Sequence, residues 1–191
     1  MPAPTGTRRI AIFGGSVDPP HCAHVMAVSW VLSCTPCREV FVIPVFDHAF
    51  AKRLAPFRAR VAMCRAAFAC FGRRVRVLDV EARLPRPSFT VQTLRRLHQA
   101  YPDAEFTLVM GSDIPSETAR WRDFDEVRRL ADLLVLPRTG APGEAAPGVP
   151  AFPDVSSTGI RESLAAGRDV SSLVPAAVLE IVRQEALYGA G

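Results

Sequence analysis

The stretch from Ile10 to His24, IAIFGGSVDPPHCAH, places two histidines shortly after a hydrophobic run, two glycines and two prolines. His21 and His24 are three residues apart, a spacing that puts both imidazoles on one face of a helix. The adjacent Gly14 and Gly15 permit unusual dihedral angles and the close approach of a ligand to the backbone. With the positive end of a helix beside them, these groups could bind a phosphate-rich anion.

The turn between the glycines and the histidines carries its own signals. Asp18 is a candidate N-cap, and Pro19 would then occupy the first helical position, where its missing N–H costs little. The helix is therefore expected to begin near Pro19 and Pro20. Ser16 could donate a hydrogen bond. The spacing alone leaves open a plain tight turn followed by two surface histidines, since the stretch is neither a Walker loop nor a G-x-G-x-x-G motif.

A second candidate anion site is the stretch VSSTGIRESL, residues 155–164. Ser156, Ser157 and Thr158 supply hydroxyl and backbone N–H groups at the start of a predicted helix. Arg161 follows one turn later and could reach the same anion. An ordinary N-cap followed by a surface arginine would give the same pattern, so this stretch alone does not decide between the two.

Short hydrophobic strands alternate with amphipathic helices along the chain, which predicts an α/β fold with a mainly parallel sheet and flanking helices. In such sheets, ligands bind beyond the carboxyl ends of the strands, where Gly14 and Gly15 would lie. A stretch rich in Gly and Pro at 138–150 should be a surface loop, and Gly167 should end a helix. We predict one domain over 1–191 with a small helical part from about residue 154. Strands are expected at 9–13, 39–44, 75–80, 105–110 and 133–137, and helices at 21–33, 57–71, 90–101, 124–130, 157–166 and 175–186.

The composition of the 191 residues is that of a globular protein, with 49% hydrophobic and 22% charged residues. No stretch approaches the roughly 20 apolar residues of a membrane span, and the N-terminus does not resemble a signal peptide. The net charge of +4 suits a pocket for anionic small molecules, and no basic stripe interleaved with aromatic residues indicates nucleic acid. We therefore expect a cytoplasmic protein that binds neither nucleic acid nor membrane.

The five cysteines form an odd number, which fits a reducing compartment. Cys34 and Cys37 make a C-x-x-C pair without a second pair, whereas a structural zinc site usually needs four ligands. We interpret them as incidental or buried thiols, with a redox or metal role as the alternative.

The stretch GGSVDPPHCAH resembles the G-G-[ST]-F-D-P-x-H-x-G-H signature of the nucleotidyltransferase superfamily with the HxGH motif. Val17 replaces the usual Phe, and Ala23 replaces the usual Gly, but both imidazoles remain in place. VSSTGIR, about 130 residues later, resembles the I-S-S-T-x-I-R motif of the same superfamily. The two motifs occur in the expected order, and their pairing favours the anion-binding interpretation of both.

Four further stretches resemble the nicotinate (nicotinamide) mononucleotide adenylyltransferases, so that the match covers nearly the whole chain. They are RPSFTVQTL (86–94), GSDIPSETARW (111–121), IPVFDHAFAKRLAPFRARVAMC (43–64) and VPAAVLEIVRQEALY (174–188). The resemblance implies a Rossmann-like open sheet. It also implies transfer of the adenylyl group of ATP to nicotinate mononucleotide, giving deamido-NAD and pyrophosphate in NAD biosynthesis, with Mg²⁺ arriving on ATP and no dedicated metal site.

The same resemblance implies roles for individual residues. His21, His24 and Arg161 would stabilise the phosphates during catalysis, and Gly111, Ser112 and Asp113 would reach the ribose. Trp121 would stack on the pyridinium ring, which is a flat cation. The implied ATP-binding set is Phe13, Gly14, Gly15, Ser16, His21, His24, Gly111, Asp113, Ser156, Ser157 and Arg161, and the acceptor-binding set is Thr90, Trp121 and Lys52.

Several alternatives stay open from the sequence. Trp121 could be a core aromatic and Thr90 an ordinary helix N-cap. The loop 47–53, with His48, Lys52 and Arg53, leaves the choice between nicotinate and nicotinamide undecided. A transferase acting on phosphopantetheine or a choline-like phosphate, and a nucleotide sensor without catalysis, are the rival functions. The oligomeric state is not fixed.

Overall fold

A five-stranded parallel sheet in the order β3-β2-β1-β4-β5 forms the centre of the protein. The computed structural model describes residues 7–48, 53–112, 121–139 and 148–189. The predicted Rossmann-like α/β fold is confirmed. The strands are β1 (Arg8–Gly15), β2 (Glu39–Pro44), β3 (Val75–Val77), β4 (Ala104–Gly111) and β5 (Asp132–Leu136), and the helices are α1 (Cys22–Cys34), α2 (Phe57–Phe68), α3 (Thr90–Ala100), α4 (Phe124–Leu130), α5 (Ser157–Ala165) and α6 (Ala176–Gln184).

Helices cover both faces of the sheet, which explains why the central segments of the strands are mostly hydrophobic. Along β1, Ala11 belongs to one hydrophobic cluster, whereas Ile10 and Ile12 belong to the other, as the pleat of a strand requires. The first cluster packs the sheet against α1, α2, α5 and α6. The second packs it against α3 and α4. The fold therefore holds the carboxyl ends of the strands between two layers of helices.

The two C-terminal helices complete the first hydrophobic cluster through Ile160 of α5 and Val178 of α6, among others. Helix α5 ends at Ala165, and Gly167 terminates it as predicted, with a φ of +67° in the left-handed region. Gly167 N–H donates to Leu164 O, and Arg168 N–H donates to Ser163 O, the hydrogen-bond pair of a Schellman motif.

Most predicted elements agree with the structure to within two residues, and two predictions were too long. The strand predicted over 75–80 ends at Val77, because the chain then enters a 3₁₀ helix over Val80–Arg83 that turns Glu81 inward. The helix predicted over 57–71 ends as an α-helix at Phe68. It continues as a 3₁₀ segment over Ala69–Arg74, in which Gly72 has a φ of +55° and redirects the chain towards β3.

The cysteines are free thiols in contrasting surroundings. Cys34 ends α1 and is exposed, whereas Cys37 is buried with its Sγ 3.7 Å from Thr107 Oγ1. In the part of the chain that the structure describes, no helix is long and apolar enough to cross a membrane.

Candidate active site at the switch point of the sheet

The strand order reverses between β1 and β4, and the candidate site lies there. The chain leaves β1 through α1 towards β2, and it leaves β4 through α4 towards β5 on the opposite side. Such a reversal opens a crevice beyond the carboxyl ends of the two strands. Gly14 and Gly15 end β1, and Gly111 ends β4, so the structure brings these three predicted site residues to one crevice. Phe13, His21 and His24 line the same cleft.

The two histidines form a stacked pair at the start of α1. Their ring centroids lie 3.7 Å apart with planes inclined by 26°, and the backbone N–H of His21 donates to Nδ1 of His24 at 3.2 Å. The ring of Phe13 meets His24 edge to face at 5.7 Å. His21 is 3% exposed, and its buried Nδ1 has no hydrogen-bond partner within the described part of the chain. That nitrogen therefore has an unused hydrogen-bonding capacity inside the cleft wall.

The surroundings hold both imidazoles in the neutral form. Burial and the positive charge of Arg138 lower the pKa of His21 from 6.5 to about 4. Burial, together with the charges of His21 and Arg138, places the pKa of His24 well below 6.5. The pair is therefore uncharged at pH 7 in the free protein, and a bound polyanion would raise both pKa values.

The turn before α1 differs from the prediction. The helix begins at Cys22 with His21 as its N-cap, so Asp18 does not cap it and Pro19 is not its first residue. Asp18 is instead fully buried, and its carboxylate accepts hydrogen bonds from Ala55 N at 3.2 Å and from the Tyr188 hydroxyl at 2.5 Å. These partners, far from Asp18 in the sequence, occupy its carboxylate oxygens, so the carboxylate does not bind the N–H groups at the start of α1.

A buried arginine secures the loops around this turn. Arg60 of α2 is 1% exposed. Its Nη1 donates to Ser16 O at 3.1 Å and to Val45 O at 2.7 Å, and its Nε donates to Ala55 O at 3.0 Å. Burial lowers the pKa of Arg60, and three carbonyl acceptors compensate for the lost hydration of its guanidinium. Arg60 thereby ties the ends of β1 and β2 to the start of α2.

The N-terminus of α5 packs against the same turn. Ser156 is its N-cap and accepts a hydrogen bond from Gly159 N at 3.1 Å. The Ser157 hydroxyl donates to Pro19 O at 2.9 Å, and Arg161 Nη1 donates to Asp18 O at 2.7 Å. The structure therefore brings the two sequence motifs together, with the Asp18–Pro19 segment between the starts of α1 and α5.

The loop 47–53, which carries the predicted acceptor residue Lys52, begins where the chain after β2 meets the start of α3. Asp47 and Ser88 are joined by two hydrogen bonds, from Ser88 N to Asp47 O at 2.9 Å and from Asp47 N to Ser88 Oγ at 3.2 Å. The buried Glu81 accepts from Phe46 N at 3.0 Å and from the Thr93 hydroxyl at 2.9 Å. These contacts fix the beginning of the loop 47–53 beside α3.

Thr90 and Trp121 lie close to this junction. Phe89 is the N-cap of α3, so Thr90 is its first helical residue rather than its cap. Trp121 packs edge to face on Phe124 at 5.8 Å and contacts the second hydrophobic cluster. The guanidinium of Arg122 lies 5.1 Å above the Phe89 ring. Arg122 follows Trp121 in the chain and Phe89 precedes Thr90, so this contact brings the two predicted residues near each other.

Two predicted site residues, Asp113 and Lys52, lie outside the described residues. Three functional candidates were missed. Arg138 lines the cleft beside both histidines, and its position two residues after β5 was the available signal. Phe152 lines the cleft because its N–H donates to Pro137 O at 2.8 Å, which pairs it with the end of β5. Tyr188 is 170 positions from Asp18, and no local pattern marks that contact.

Comparison with known proteins gives a consistent assignment. A family model described as cytidylyltransferase-like matches residues 12–163. A protein of Anaeromyxobacter dehalogenans (strain 2CP-1 / ATCC BAA-258) named "Probable nicotinate-nucleotide adenylyltransferase" is 45% identical over 187 residues, which are 96% of this chain and 98% of that protein. A protein of the same name from Myxococcus xanthus (strain DK1622) is 37% identical over 181 residues, 95% of each chain.

A solved structure shares the fold. It is described as Plasmodium falciparum nicotinic acid mononucleotide adenylyltransferase complexed with NaAD, and it matches with a TM-score of 0.80 over 96% of this chain and 98% of the other. The sequences are 17% identical, so this likeness concerns the architecture of the chain.

Proposed function

The chain belongs to the cytidylyltransferase-like family, and we propose that it transfers the adenylyl group of ATP to nicotinate mononucleotide, giving deamido-NAD and pyrophosphate. The observation that carries the proposal is the neutral, stacked pair of His21 and His24 at a helix N-terminus, with an unpartnered buried nitrogen on His21. Relatives that are 45% and 37% identical over almost the whole chain carry the name of that activity, which belongs to NAD biosynthesis.

ATP would lie across the switch point of the sheet. Gly14, Gly15 and Ser16 would approach it through their backbone, and Gly111 would lie beside the nucleoside. The phosphates would extend from His21 and His24 towards the N-terminus of α5, where backbone N–H groups and Arg161 favour negative charge. Because the Ser157 hydroxyl already donates to Pro19 O, we expect its backbone N–H, with the N-terminal end of α5, to face the phosphates. Asp113 is proposed for the ribose.

The reaction requires positioning and charge stabilisation rather than a general base. A phosphate oxygen of the acceptor is ionised at pH 7 and attacks the α-phosphorus of ATP in line. The bond from the α-phosphorus to the bridging oxygen breaks, and its electron pair leaves on pyrophosphate. A neutral imidazole of His21 can donate a hydrogen bond to the α-phosphoryl group as negative charge develops. His24, Arg138 and Arg161 would hold the departing phosphates.

Mg²⁺ belongs to the substrate in this scheme, as the ATP complex. Among the described residues, no three His, Cys, Asp or Glu side chains are grouped to hold a metal. The Asp18 carboxylate, three residues before His21 in the chain, already accepts hydrogen bonds from Ala55 and Tyr188. We propose that phosphate oxygens and water coordinate the ion, which neutralises charge on the leaving group.

The acceptor would lie beside Trp121 and Thr90. The indole face of Trp121 suits a pyridinium ring, and the Thr90 hydroxyl lies at the first turn of α3. Arg122 follows Trp121 in the chain and lies over the ring of Phe89, the residue before Thr90. Its guanidinium also lies 3.8 Å from the Asp123 carboxylate, so it places a partly offset positive charge near this end of the site. A cation there favours a carboxylate over a neutral carboxamide, which supports nicotinate as the preferred pyridine. Lys52 is proposed as a further acceptor contact.

The direct test is pyrophosphate release from ATP and Mg²⁺ with either nicotinate or nicotinamide mononucleotide. We expect a strong preference for nicotinate mononucleotide. Equal use of both would assign relaxed specificity and direct attention to the loop 47–53. Absence of turnover with both, from a folded protein that binds ATP, would contradict the proposal and favour another phosphate acceptor or a nucleotide sensor.

The proposal also covers location and partners. Its partners are ATP and a pyridine mononucleotide, and we place the reaction in the cytoplasm. The presence of ATP there, and the free thiols of the five cysteines, support that placement.

A further inference from the structure

The C-terminal end of the chain reaches the phosphate side of the site through a strained turn. Leu187–Gly189 form a short 3₁₀ segment, and two non-glycine residues have positive φ there, namely Ala186 just before it at +46° and Tyr188 within it at +60°. Left-handed backbone at such residues costs free energy and persists only where surrounding contacts enforce it. Leu187 is buried in the first hydrophobic cluster, and the Tyr188 hydroxyl donates to Asp18 Oδ1 at 2.5 Å.

Besides Tyr188, Asp18 contacts residues on both sides of the candidate site. Its other carboxylate oxygen, Oδ2, accepts from Ala55 N at 3.2 Å, just beyond the loop 47–53. Its main-chain oxygen accepts from Arg161 Nη1 at 2.7 Å, and the same guanidinium nitrogen lies 4.0 Å from Oδ2. Since Asp18 is fully buried, it has no bulk water to replace a lost partner.

From these contacts, we propose that Tyr188 is a positioning residue for ATP. Its hydroxyl holds the Asp18 carboxylate, and Asp18 holds the guanidinium of Arg161 in the orientation that meets the phosphates. The inference rests on the proposed function for the role of Arg161. It extends the site to a residue near the C-terminal end that does not itself contact substrate.

The proposed positioning role requires that the Tyr188 hydroxyl donate a hydrogen bond to Asp18. Burial and the hydrogen bond to Asp18 raise the pKa of the Tyr188 hydroxyl above its usual value, so it stays protonated and donates at neutral pH. A phenylalanine would fill the same space beside Met63 and leave Asp18 Oδ1 without that donor. The carboxylate would then move towards another cation, and the nearest are Arg60 and Arg161.

The chain offers a matched control for the change from Tyr188 to Phe. Tyr101, the other tyrosine, is the C-cap of α3, and its carbonyl accepts a hydrogen bond from Ala104 N, where β4 begins. Its ring packs on Phe41 at 5.2 Å, away from the crevice. Tyr101→Phe therefore removes the same hydroxyl from a ring at the opposite end of the strands.

The experiment measures the dissociation constant of ATP by titration calorimetry at 25 °C, with thermal melting of each variant. We expect Tyr188→Phe to raise the dissociation constant about tenfold and Tyr101→Phe to leave it within twofold, since a hydrogen bond to a buried charge is the difference. In an Arg161→Gln background, Tyr188→Phe should add less than a twofold change, because the effect passes through that guanidinium.

Two outcomes would overturn the inference, and a third would separate it from the proposed function. Equal dissociation constants for Tyr188→Phe and Tyr101→Phe, with only the melting temperature lowered, would reduce Tyr188 to a structural role. An undiminished loss in the Arg161→Gln background would refute the route through Arg161. A wild-type protein that binds ATP with this pattern of variants but turns over neither mononucleotide would contradict the proposed function and support the positioning role.

Discussion

The imidazole rings of His21 and His24 stack at 3.7 Å, although His21 is an N-cap and His24 belongs to the first turn of α1. Two imidazolium ions at that distance would repel each other by roughly 4 kcal/mol at an effective dielectric constant of about 20. Stacking is therefore compatible with the neutral rings that burial and Arg138 enforce. Phosphate oxygens bound at the same place would favour the protonated forms and so raise both pKa values above those of the free protein.

Replacement of His21 by Ala should separate catalysis from folding. We expect kcat to fall on the order of 10²-fold or more, since a donor to the developing charge is lost. The fold should persist, because the buried Nδ1 of His21 has no partner to lose among the described residues. His98→Gln is the control, since His98 Nε2 contacts Leu130 O at 2.8 Å away from the cleft. Near-normal turnover by a folded His21→Ala protein would contradict the assignment.

The pKa of His21 predicts how stability depends on pH. It is about 4 in the folded protein and near 6.5 when unfolded, so the unfolded chain binds more protons between these values. Stability is fully present above pH 6.5 and is lost as the pH falls towards 4, by about 3 kcal/mol for this group. Urea unfolding at a series of pH values checks this, with His21→Gln expected to lose less stability over the interval. An identical pH dependence in both proteins would contradict it.

The part of the site that the sequence predicted consists of groups fixed by local rules. Gly14 and Gly15 end a buried strand, and Ser156 caps α5, because the turn and cap preferences of these residues act over a few positions. The two motifs meet at Asp18 and Pro19. Their resemblance to one superfamily implied that both would bind the phosphates of ATP. The parallel sheet follows from strand–helix alternation in the same way.

The remaining parts depend on contacts between distant residues. Asp18 has the properties of an N-cap, but Ala55 and Tyr188 satisfy its carboxylate in the fold, so a local rule gave the wrong partner. Arg60 belongs to an ordinary helical pattern. It is buried because the loops that begin at Ser16 and Val45 fold over it and accept its hydrogen bonds. Partners of this kind are set by tertiary packing, and a single sequence does not reveal them.

Arg138 is the cation whose charge is expected to matter for both histidines. Arg138→Gln should raise the pKa of His21 without restoring 6.5, because burial, the larger cause, remains. It should also weaken ATP binding about tenfold, because Arg138 is one of the cations proposed to hold the phosphates. A proton NMR titration of the imidazole C2–H signals measures the first effect, and calorimetry measures the second. Arg168→Gln, at the exposed end of α5, is the control. An unmoved His21 titration would refute the charge effect.

Arg122 is expected to set the preference between the two pyridine mononucleotides. Its guanidinium lies over Phe89, beside Thr90, and its neighbour in the chain is Trp121. Arg122→Gln should lower the ratio of kcat/KM for nicotinate mononucleotide to that for nicotinamide mononucleotide by about threefold to fivefold, because an exposed cation–carboxylate pair contributes up to about 1 kcal/mol.

Two comparisons make this last measurement decisive. Arg76→Gln removes a guanidinium that lies 5.1 Å above the Phe41 ring on the far side of the sheet order, and it should leave the ratio unchanged. Added salt should lower the wild-type ratio and have little effect on that of Arg122→Gln, since screening acts on the pair that the substitution removes. If the ratio is the same in both variants at low salt, the carboxylate is recognised elsewhere, and backbone groups near Thr90 or the loop 47–53 would be the next to test.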